Sequence, residues 1–454
     1  MLDLALLAFV AMFLAFGAKR PFIWVLAYIY IDCVAPQKIG WGLIQAIPLS
    51  LVAFVAAFGG WLLFDRKRGT RFTLRQAMIV ALLVYCAWTT TIADFPVNAL
   101  AKWDWVWKAL LFAIFLPLTL RTRLRFEAVT LIMVLALGTI VINGGVKTAL
   151  GGGGYGTLAL LVRENAGLYE GSILSTAAVA TIPLALWLAR HGTIFKPDWR
   201  VWTFVAGLIF ASLLIPIGEA ARTGLVCAAF LAVLMLRSAK RRFLYAGLGA
   251  LALALAVPFL PQSYLARMNT IEDHSQDESA STRVAVWMWT LDYVKTHPFG
   301  GGFDAYRSNS FTYKMPKVTG SAGNEHVTYE IVTDKARAYH SSYFEMLGEQ
   351  GWPGLIWWLV LQLLGVWQME VIRWRFKRRE EGTASWQWGL ATALQQAQLV
   401  YLLGAAFVGI AYLPYMFMLV GMQCGLWSYV KRTTQEPVKA TFMRPRAQIV
   451  SAAV

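Results

Sequence analysis

Long apolar runs divide most of the chain into segments close to the length that crosses a lipid bilayer. The runs lie near residues 2–18, 21–35, 43–64, 74–92, 107–120, 126–142, 171–189, 201–217, 223–236, 243–260, 352–371, 388–408 and 412–430. A membrane-spanning helix needs roughly 20 predominantly apolar residues, so the first two runs and the ninth are short. The pattern predicts an all-α polytopic integral membrane protein with about 12–13 transmembrane helices.

Composition favours the same class. Of the 454 residues, 58% are apolar and 15% are charged, whereas soluble globular domains contain roughly a quarter charged residues. The 20 Trp and 26 Phe argue against a disordered chain. The four Cys lie in or beside different apolar runs without a CxxC pair, so we expect buried thiols rather than disulfides or a zinc site.

The positive charges indicate which junctions lie on which side of the membrane. The formal net charge is +16, and 27 of the 41 Lys and Arg lie at alternate junctions between the apolar runs. The positive-inside rule places these junctions in the cytoplasm and residues 261–350 outside. The basic excess is therefore a topology signal and does not predict a nucleic-acid partner.

This topology divides the chain into five regions. They are an N-terminal membrane region at residues 1–190, central transmembrane helices at 191–260, an external loop domain at 261–351, C-terminal transmembrane helices at 352–430 and a cytoplasmic tail at 431–454. The large loop domain, between the spans near 243–260 and 352–371, would face the outside of the cell.

Two other segments interrupt the apolar pattern. Residues 143–170 contain a run from Gly151 to Gly154 that lacks the sequence and strand–helix context of a phosphate loop, so we expect a flexible or re-entrant loop. The segment from Lys102 to Lys108 contains three Trp, a residue type that is enriched at membrane interfaces.

Polar chemistry is concentrated in residues 261–350. This segment contains four of the five His and 11 of the 25 acidic residues, so we expect the function on the outer face. Its His residues are 23, 29 and 14 positions apart, with no HExxH or HxH motif. Such spacing does not predict a metal site.

Three short elements carry candidate chemistry. Arg222 lies in a tight turn that is predicted to be external, whereas most Lys and Arg lie at cytoplasmic junctions. We therefore expect Arg222 to have an anionic partner. Arg283 and Trp287 lie one turn apart on a predicted helix, which the Ser/Thr run at 279–282 would cap and Pro298 would end. We expect His340 where a short external helix meets the next transmembrane span.

Together these elements resemble the O-antigen ligase and O-antigen polymerase superfamily. Four elements match in order and spacing: Arg222 in a short turn, Arg283 four residues before Trp287, the turn His297-Pro298-Phe299-Gly300-Gly301-Gly302, and His340 followed by Glu349-x-Gly351-x-x-Gly354. The N-terminal half is similar to the probable O-glycosylation ligases associated with exosortase A systems. That similarity rests on Arg20-Pro21-Phe22-Ile23, Pro36-Gln37-Lys38-Ile39-Gly40-Trp41-Gly42 and Asn143-Gly144-Gly145-Val146-Lys147.

The resemblance implies transfer of a glycan from an undecaprenyl diphosphate carrier to an acceptor hydroxyl of a lipid, protein or polysaccharide on the periplasmic side. Arg222 and Arg283 suit the diphosphate leaving group, since Arg offers bidentate donors that could replace a metal ion. His340 suits the role of base for the acceptor hydroxyl, whose direct attack would invert the anomeric configuration. Glu349 and Trp287 are expected to support the site, with no metal and no cofactor.

Three other functions remain open at this point. A polymerase would use the same donor with a second lipid-linked glycan as acceptor, and the motifs do not separate it from a ligase. A transporter of lipid-linked sugars would use Arg222 and Arg283 to bind anions, but we see no internal repeat. An oligosaccharyltransferase is disfavoured, because Trp103-Asp104-Trp105 resembles its Trp-Trp-Asp signature only superficially.

Overall fold

Helices dominate the part of the chain that this computed structural model describes, namely residues 2–40, 42–65, 67, 71–151, 158, 160–162, 167–237, 241–244, 247, 249, 251, 278–319, 326–379 and 382–435. In chain order they are α1 (Leu2–Lys19), α2 (Phe22–Val34), α3 (Pro36–Ile39), α4 (Leu43–Ala46), α5 (Leu49–Phe64), α6 (Leu74–Thr91), α7 (Pro96–Thr119), α8 (Arg123–Ala149), α9 (Gly171–His191), α10 (Trp199–Gly218), α11 (Arg222–Leu236), α12 (Glu278–Thr296), α13 (Ser342–Lys377), α14 (Trp386–Gly404) and α15 (Pro414–Gln435).

Several of these helices are suited to a lipid environment. Six described segments are long and apolar enough to cross a membrane: Phe22–Ile39, Leu74–Thr91, Arg123–Ala149, Gly171–His191, Trp199–Gly218 and Ser342–Lys377. Large apolar side chains such as Leu63, Phe210 and Leu363 are exposed on the outer faces, as a lipid-facing surface requires. The predicted all-α polytopic membrane class is confirmed. The total of about 12–13 spans stays a prediction, since the run near 243–260 lies largely outside the described residues.

Close packing of small residues joins helices of the N-terminal half to α10. Gly144 and Gly145 lie inside α8, where a Cβ on Gly145 would come within 2.8 Å of Ala211 on α10. The prediction that a loop begins at residue 143 is therefore wrong. Glycine weakens a helix, but here it permits close contact between two helix backbones. The glycines at 152–154 lie outside the described residues.

The segment between α12 and α13 contains a β-hairpin that the sequence did not predict. Strands β1 (Ser310–Thr319) and β2 (His326–Lys335) pair antiparallel, with Ser310 opposite Lys335. Ahead of the hairpin, α12 begins at Glu278, so the residues at 279–282 lie within the helix and do not cap it. As predicted, α12 ends just before Pro298.

One break divides α13 into a short N-terminal part and a long apolar part. Gly351 has φ +64° and ψ −168°, and the helix resumes directly after it. The long part corresponds to the apolar run predicted at 352–371. The short part packs with α12 and the residues that follow α14, and this contact region builds the site.

Candidate functional site

A cleft with a volume of about 830 Å³ opens at one end of the helix bundle. Its walls come from α7, the N-terminal end of α9, α12, the start of α13 and residues 407–413, which connect α14 to α15. Three of the predicted site residues, Arg283, His340 and Glu349, line this cleft. The fold therefore brings together residues that are far apart in the chain.

Trp287 stands behind the cleft wall and holds the segment that carries His340. Its indole Nε1 donates a 2.9 Å hydrogen bond to the carbonyl oxygen of Tyr339. Its ring stacks on Phe344, with the ring centroids 5.0 Å apart and the planes nearly parallel. Because Arg283 lies one turn earlier on α12, one helix carries a lining cation and the support for His340.

His340 lies in the irregular segment just before α13. We expected His340 where a short external helix meets the next transmembrane span, but that junction is the break at Gly351, and His340 lies before the short helix, which begins at Ser342. On the other side of the segment, the Asn309 side chain accepts a 2.9 Å hydrogen bond from the Arg337 backbone N–H and donates a 2.7 Å bond to the Arg337 carbonyl. The segment is thus fixed from both sides.

The backbone at His340 is in the left-handed region, with φ +48°. Non-glycine residues adopt this region rarely, and such residues cluster at functional sites. Among the described residues, the five non-glycine positions of this kind are Ala35, Ala220, Asp304, Ala336 and His340. Asp304 and His340 line the cleft, and Ala336 precedes the lining residue Arg337.

The surroundings of His340 favour its neutral form. Partial burial in the cleft lowers the pKa of its imidazole below the usual 6.5, and the positive charges of Arg283 and Arg337 lower it further. The ring still keeps exposed surface towards the cleft. A neutral, accessible imidazole at pH 7 is the form that can accept a proton.

A buried ion-pair network forms the floor of the cleft. The Lys102 ammonium Nζ on α7 lies 2.7 Å from Glu345 Oε1 and 2.8 Å from Glu349 Oε1, both at the start of α13. The Glu349 side chain is 0% exposed, and it also accepts a 3.0 Å bond from the Asp304 backbone N–H. Glu345 accepts a bond from the Ala411 backbone N–H at 3.0 Å. The network therefore ties four elements together around one ammonium group.

The glycine-rich turn predicted to end α12 packs directly on the break in α13. Gly301 N–H donates to the Gly348 carbonyl and Gly302 N–H donates to the Glu349 carbonyl, each at 3.0 Å. Gly300 has φ +80°, and a Cβ there would lie 2.5 Å from the Glu349 backbone. Two sequence elements of the resemblance, the His297–Gly302 turn and the Glu349–Gly354 segment, are therefore one packed unit.

Arg222 is not among the described residues that line the cleft. It begins α11, directly after the turn that starts at Glu219. The Glu219 carboxyl packs against Gly171, next to the lining residue Glu170. Burial, followed by the negative charge of Glu170, raises the pKa of Glu219 to about 7. The turn therefore contacts the rim of the cleft through Glu219, and Arg222 follows three residues later at the start of α11.

Lys102 and Arg337 are site residues that the sequence analysis missed. Lys102 was interpreted as part of a Trp-rich membrane interface. An ionisable residue next to an apolar run is itself a signal of a functional site, and this signal could have identified Lys102. Arg337 lies in no recognisable motif, and its position depends on the hairpin that precedes it.

Four cationic side chains of the described residues line the cleft, namely Lys102, Arg283, Arg307 and Arg337. Among the described residues, no group of three His, Cys, Asp or Glu could hold a metal ion. His297 stacks on Tyr293, with ring centroids 4.2 Å apart, in the turn behind the cleft. His274 and the His326 side chain fall outside the described residues.

Comparisons with known families cover both halves of the chain. Residues 206–359 match the family model described as O-Antigen ligase. Residues 1–193 match the model described as Family of unknown function (DUF5935). A search of curated proteins found no match. The ligase match contains Arg283, His340 and Glu349, whereas Lys102 comes from the other region. The chain is a multi-pass membrane protein, and its residues 206–359 are similar to the O-antigen ligase family.

Proposed function

We propose that the chain is a membrane glycosyltransferase that moves a glycan from undecaprenyl diphosphate to an acceptor hydroxyl on the periplasmic side. The observation that carries this proposal is that Arg283 and His340 line one cleft. A fixed cation for a leaving group and a neutral base for an incoming hydroxyl are the two groups that such a transfer needs. The match to O-Antigen ligase supports a ligase and does not favour the polymerase or the transporter.

In this proposal, the cleft arginines bind the donor diphosphate. Arg283 and Arg337 both line the cleft, and a guanidinium can give two parallel hydrogen bonds to phosphate oxygens. The Nε and Nη2 of Arg337 also donate to Asp334, so this guanidinium offers the phosphate its remaining N–H groups. As the glycosidic bond breaks, negative charge grows on the diphosphate, and the guanidinium groups stabilise it. Arg222 was predicted to share this task. Because Arg222 is not among the described residues that line the cleft, we propose that it binds an outer part of the donor or supports the turn at Glu219.

His340 acts as general base in the proposed reaction. The acceptor oxygen attacks the anomeric carbon, and its proton passes to the neutral imidazole. The bond from that carbon to the phosphate oxygen breaks, and its electron pair leaves with the diphosphate. A single displacement of this kind inverts the anomeric configuration and needs no covalent intermediate with the enzyme.

Glu349 is a support for the cleft in this proposal and not a second base. Its carboxylate is fully buried against Lys102 and the Asp304 backbone. Because Lys102 belongs to the region of unknown family function, this ion pair also suggests why that region accompanies the ligase domain. The N-terminal resemblance further suggests the exosortase-associated O-glycosylation ligases, and neighbouring genes for an exosortase would support that subtype.

Transfer by purified protein tests the proposal. The full chain in detergent is mixed with an undecaprenyl diphosphate-linked glycan and an acceptor, in the presence of EDTA. We expect product to form, because arginine side chains supply the positive charge that stabilises the leaving diphosphate. We expect Arg283→Lys to transfer less glycan from the donor, because Lys lacks the planar guanidinium that binds phosphate through two hydrogen bonds. No product under any condition would favour a transporter. Activity that requires added Mg²⁺ would contradict the metal-independent reaction.

A further inference from the structure

A second pocket lies at the opposite end of the bundle, between α6, α13 and α15. It has a volume of about 390 Å³. Along α13, the stretch from Gly351 at the cleft to Leu364 at this pocket alone spans about 20 Å. We call it the Trp pocket, defined by Arg71, Trp367, Gln368, Trp427 and Lys431. It is therefore separate from the proposed transfer site.

The charged residues of the Trp pocket are all cations. Arg71 and Lys431 line it, both with exposed side chains, and none of the described lining residues is an Asp or Glu. Both cations belong to basic junctions that the positive-inside rule places in the cytoplasm. Basic pockets between helices on that side attract anionic lipid headgroups.

The aromatic residues give the pocket an amphipathic form. The Trp367 and Trp427 rings lie 6.3 Å apart, and Lys431 Nζ lies 4.8 Å from the centre of the Trp427 ring. Leu74 and Leu364 add apolar surface. The cations suit the phosphate of a phospholipid, the apolar walls suit its acyl chains, and Trp is enriched at the level of the headgroups between them.

Gln368 gives an independent sign of a ligand. Its side chain lines the pocket and is only 4% exposed, yet its Oε1 has no hydrogen-bond partner among the described residues. Buried polar atoms in proteins are normally hydrogen-bonded. The Oε1 atom itself has almost no accessible surface, so the Gln368 side chain must turn towards the pocket before the hydroxyl of a lipid headgroup can donate to it.

We propose that the Trp pocket binds one anionic glycerophospholipid with a hydroxylated headgroup. The phosphate lies between Arg71 and Lys431, a headgroup hydroxyl donates to Gln368, and the acyl chains follow the apolar walls towards the bilayer. This binding is independent of the proposed glycan transfer, because the two sites lie at opposite ends of the bundle.

Native mass spectrometry of the delipidated full-length protein in detergent tests this proposal. The protein is titrated with phosphatidylglycerol, with phosphatidylmethanol, which has the same charge but no headgroup hydroxyl, and with zwitterionic phosphatidylcholine. We expect one retained phosphatidylglycerol, weaker retention of phosphatidylmethanol, and the least retention of phosphatidylcholine. Lys431→Glu should weaken phosphatidylglycerol binding roughly tenfold or more.

Matched variants separate the pocket from general surface charge. Lys377→Glu places the same charge change on an exposed residue at the same end of the bundle, and it should alter binding less than about twofold. Gln368→Leu should keep the preference for anionic lipid but abolish the advantage of phosphatidylglycerol over phosphatidylmethanol. Equal retention of all three lipids, or an equal effect of Lys377→Glu and Lys431→Glu, would overturn the proposal.

Discussion

The Lys102 ammonium and the Glu349 carboxylate form an ion pair, with 2.8 Å between Nζ and Oε1, on the floor of the cleft. Glu345 shares the same ammonium at 2.7 Å. One cation thus holds two carboxylates, which would repel each other without it. The pair also connects α7 to the first part of α13. Because His340 lies just before α13, the pair helps to hold His340 in position.

The first prediction concerns this pair. Lys102→Met leaves two buried carboxylates without their cation, and removing one partner of a buried pair costs about 3–5 kcal/mol. We expect a lower unfolding temperature of the purified protein in detergent. Adding Glu349→Gln should restore part of the loss, because one buried charge is then removed. Lys295→Met is the matched control, since Lys295 forms an exposed pair with Asp292.

A variant of Lys102 that unfolds at the wild-type temperature would show that the network does not hold the cleft together.

The second prediction concerns the break at Gly351. Its backbone angles are accessible only to glycine, and a Cβ would lie 2.2 Å from the Pro298 carbonyl oxygen. Gly351→Ala should destabilise the protein by at least about 2 kcal/mol and lower transfer, because it displaces the turn that packs on Glu349. Gly207→Ala, on a helix with open space around the new Cβ, should be neutral or slightly stabilising. Equal unfolding temperatures for both variants would refute this.

The sequence predicted the parts of the site that depend on local spacing. Arg283 and Trp287 fall on one helix face because they are four residues apart, and the turn from Pro298 to Gly302 follows from residues that cannot continue a helix. The all-α membrane class followed from apolar runs long enough for a bilayer.

The parts that the sequence did not predict depend on tertiary contacts. Lys102 meets Glu345 and Glu349 across more than two hundred residues of chain, and no local pattern encodes that meeting. Gly144 and Gly145 suggested a loop, but close contact with α10 keeps them helical. At Gly144 and Gly145, packing outweighed the local preference of glycine for loops.

The third prediction concerns pH. The lowered pKa of His340 favours its neutral imidazole at pH 7, so the midpoint of the fall in transfer at acidic pH, where the base becomes protonated, should lie below 6.5. Arg337→Gln removes a positive charge that lowers this pKa in the free protein, so the acidic limb of kcat/KM should move to higher pH. Arg307→Gln is the control, since Arg307 lines the same cleft but is not among the groups that lower the pKa.

If the acidic limb lies at the same pH in Arg337→Gln as in the wild-type protein, the pH dependence does not arise from His340.

The fourth prediction concerns topology. Ser308 lies on the cleft side and Lys377 at the opposite end of α13, and both are exposed. In a background without the four native Cys, Ser308→Cys should react with an impermeant maleimide in intact spheroplasts, and Lys377→Cys should react only after lysis. Labelling of Lys377→Cys in intact cells would reverse the proposed orientation of the site.

The most direct test of the proposed transfer compares His340→Asn with the wild-type protein in the purified assay. Asn tolerates the left-handed backbone that His340 adopts, so the fold should be kept while the base is lost. We predict that binding of the undecaprenyl diphosphate-linked donor stays within about twofold, while kcat falls about 100-fold or more. Wild-type turnover in His340→Asn, with donor binding intact, would contradict the assignment of His340 as the base.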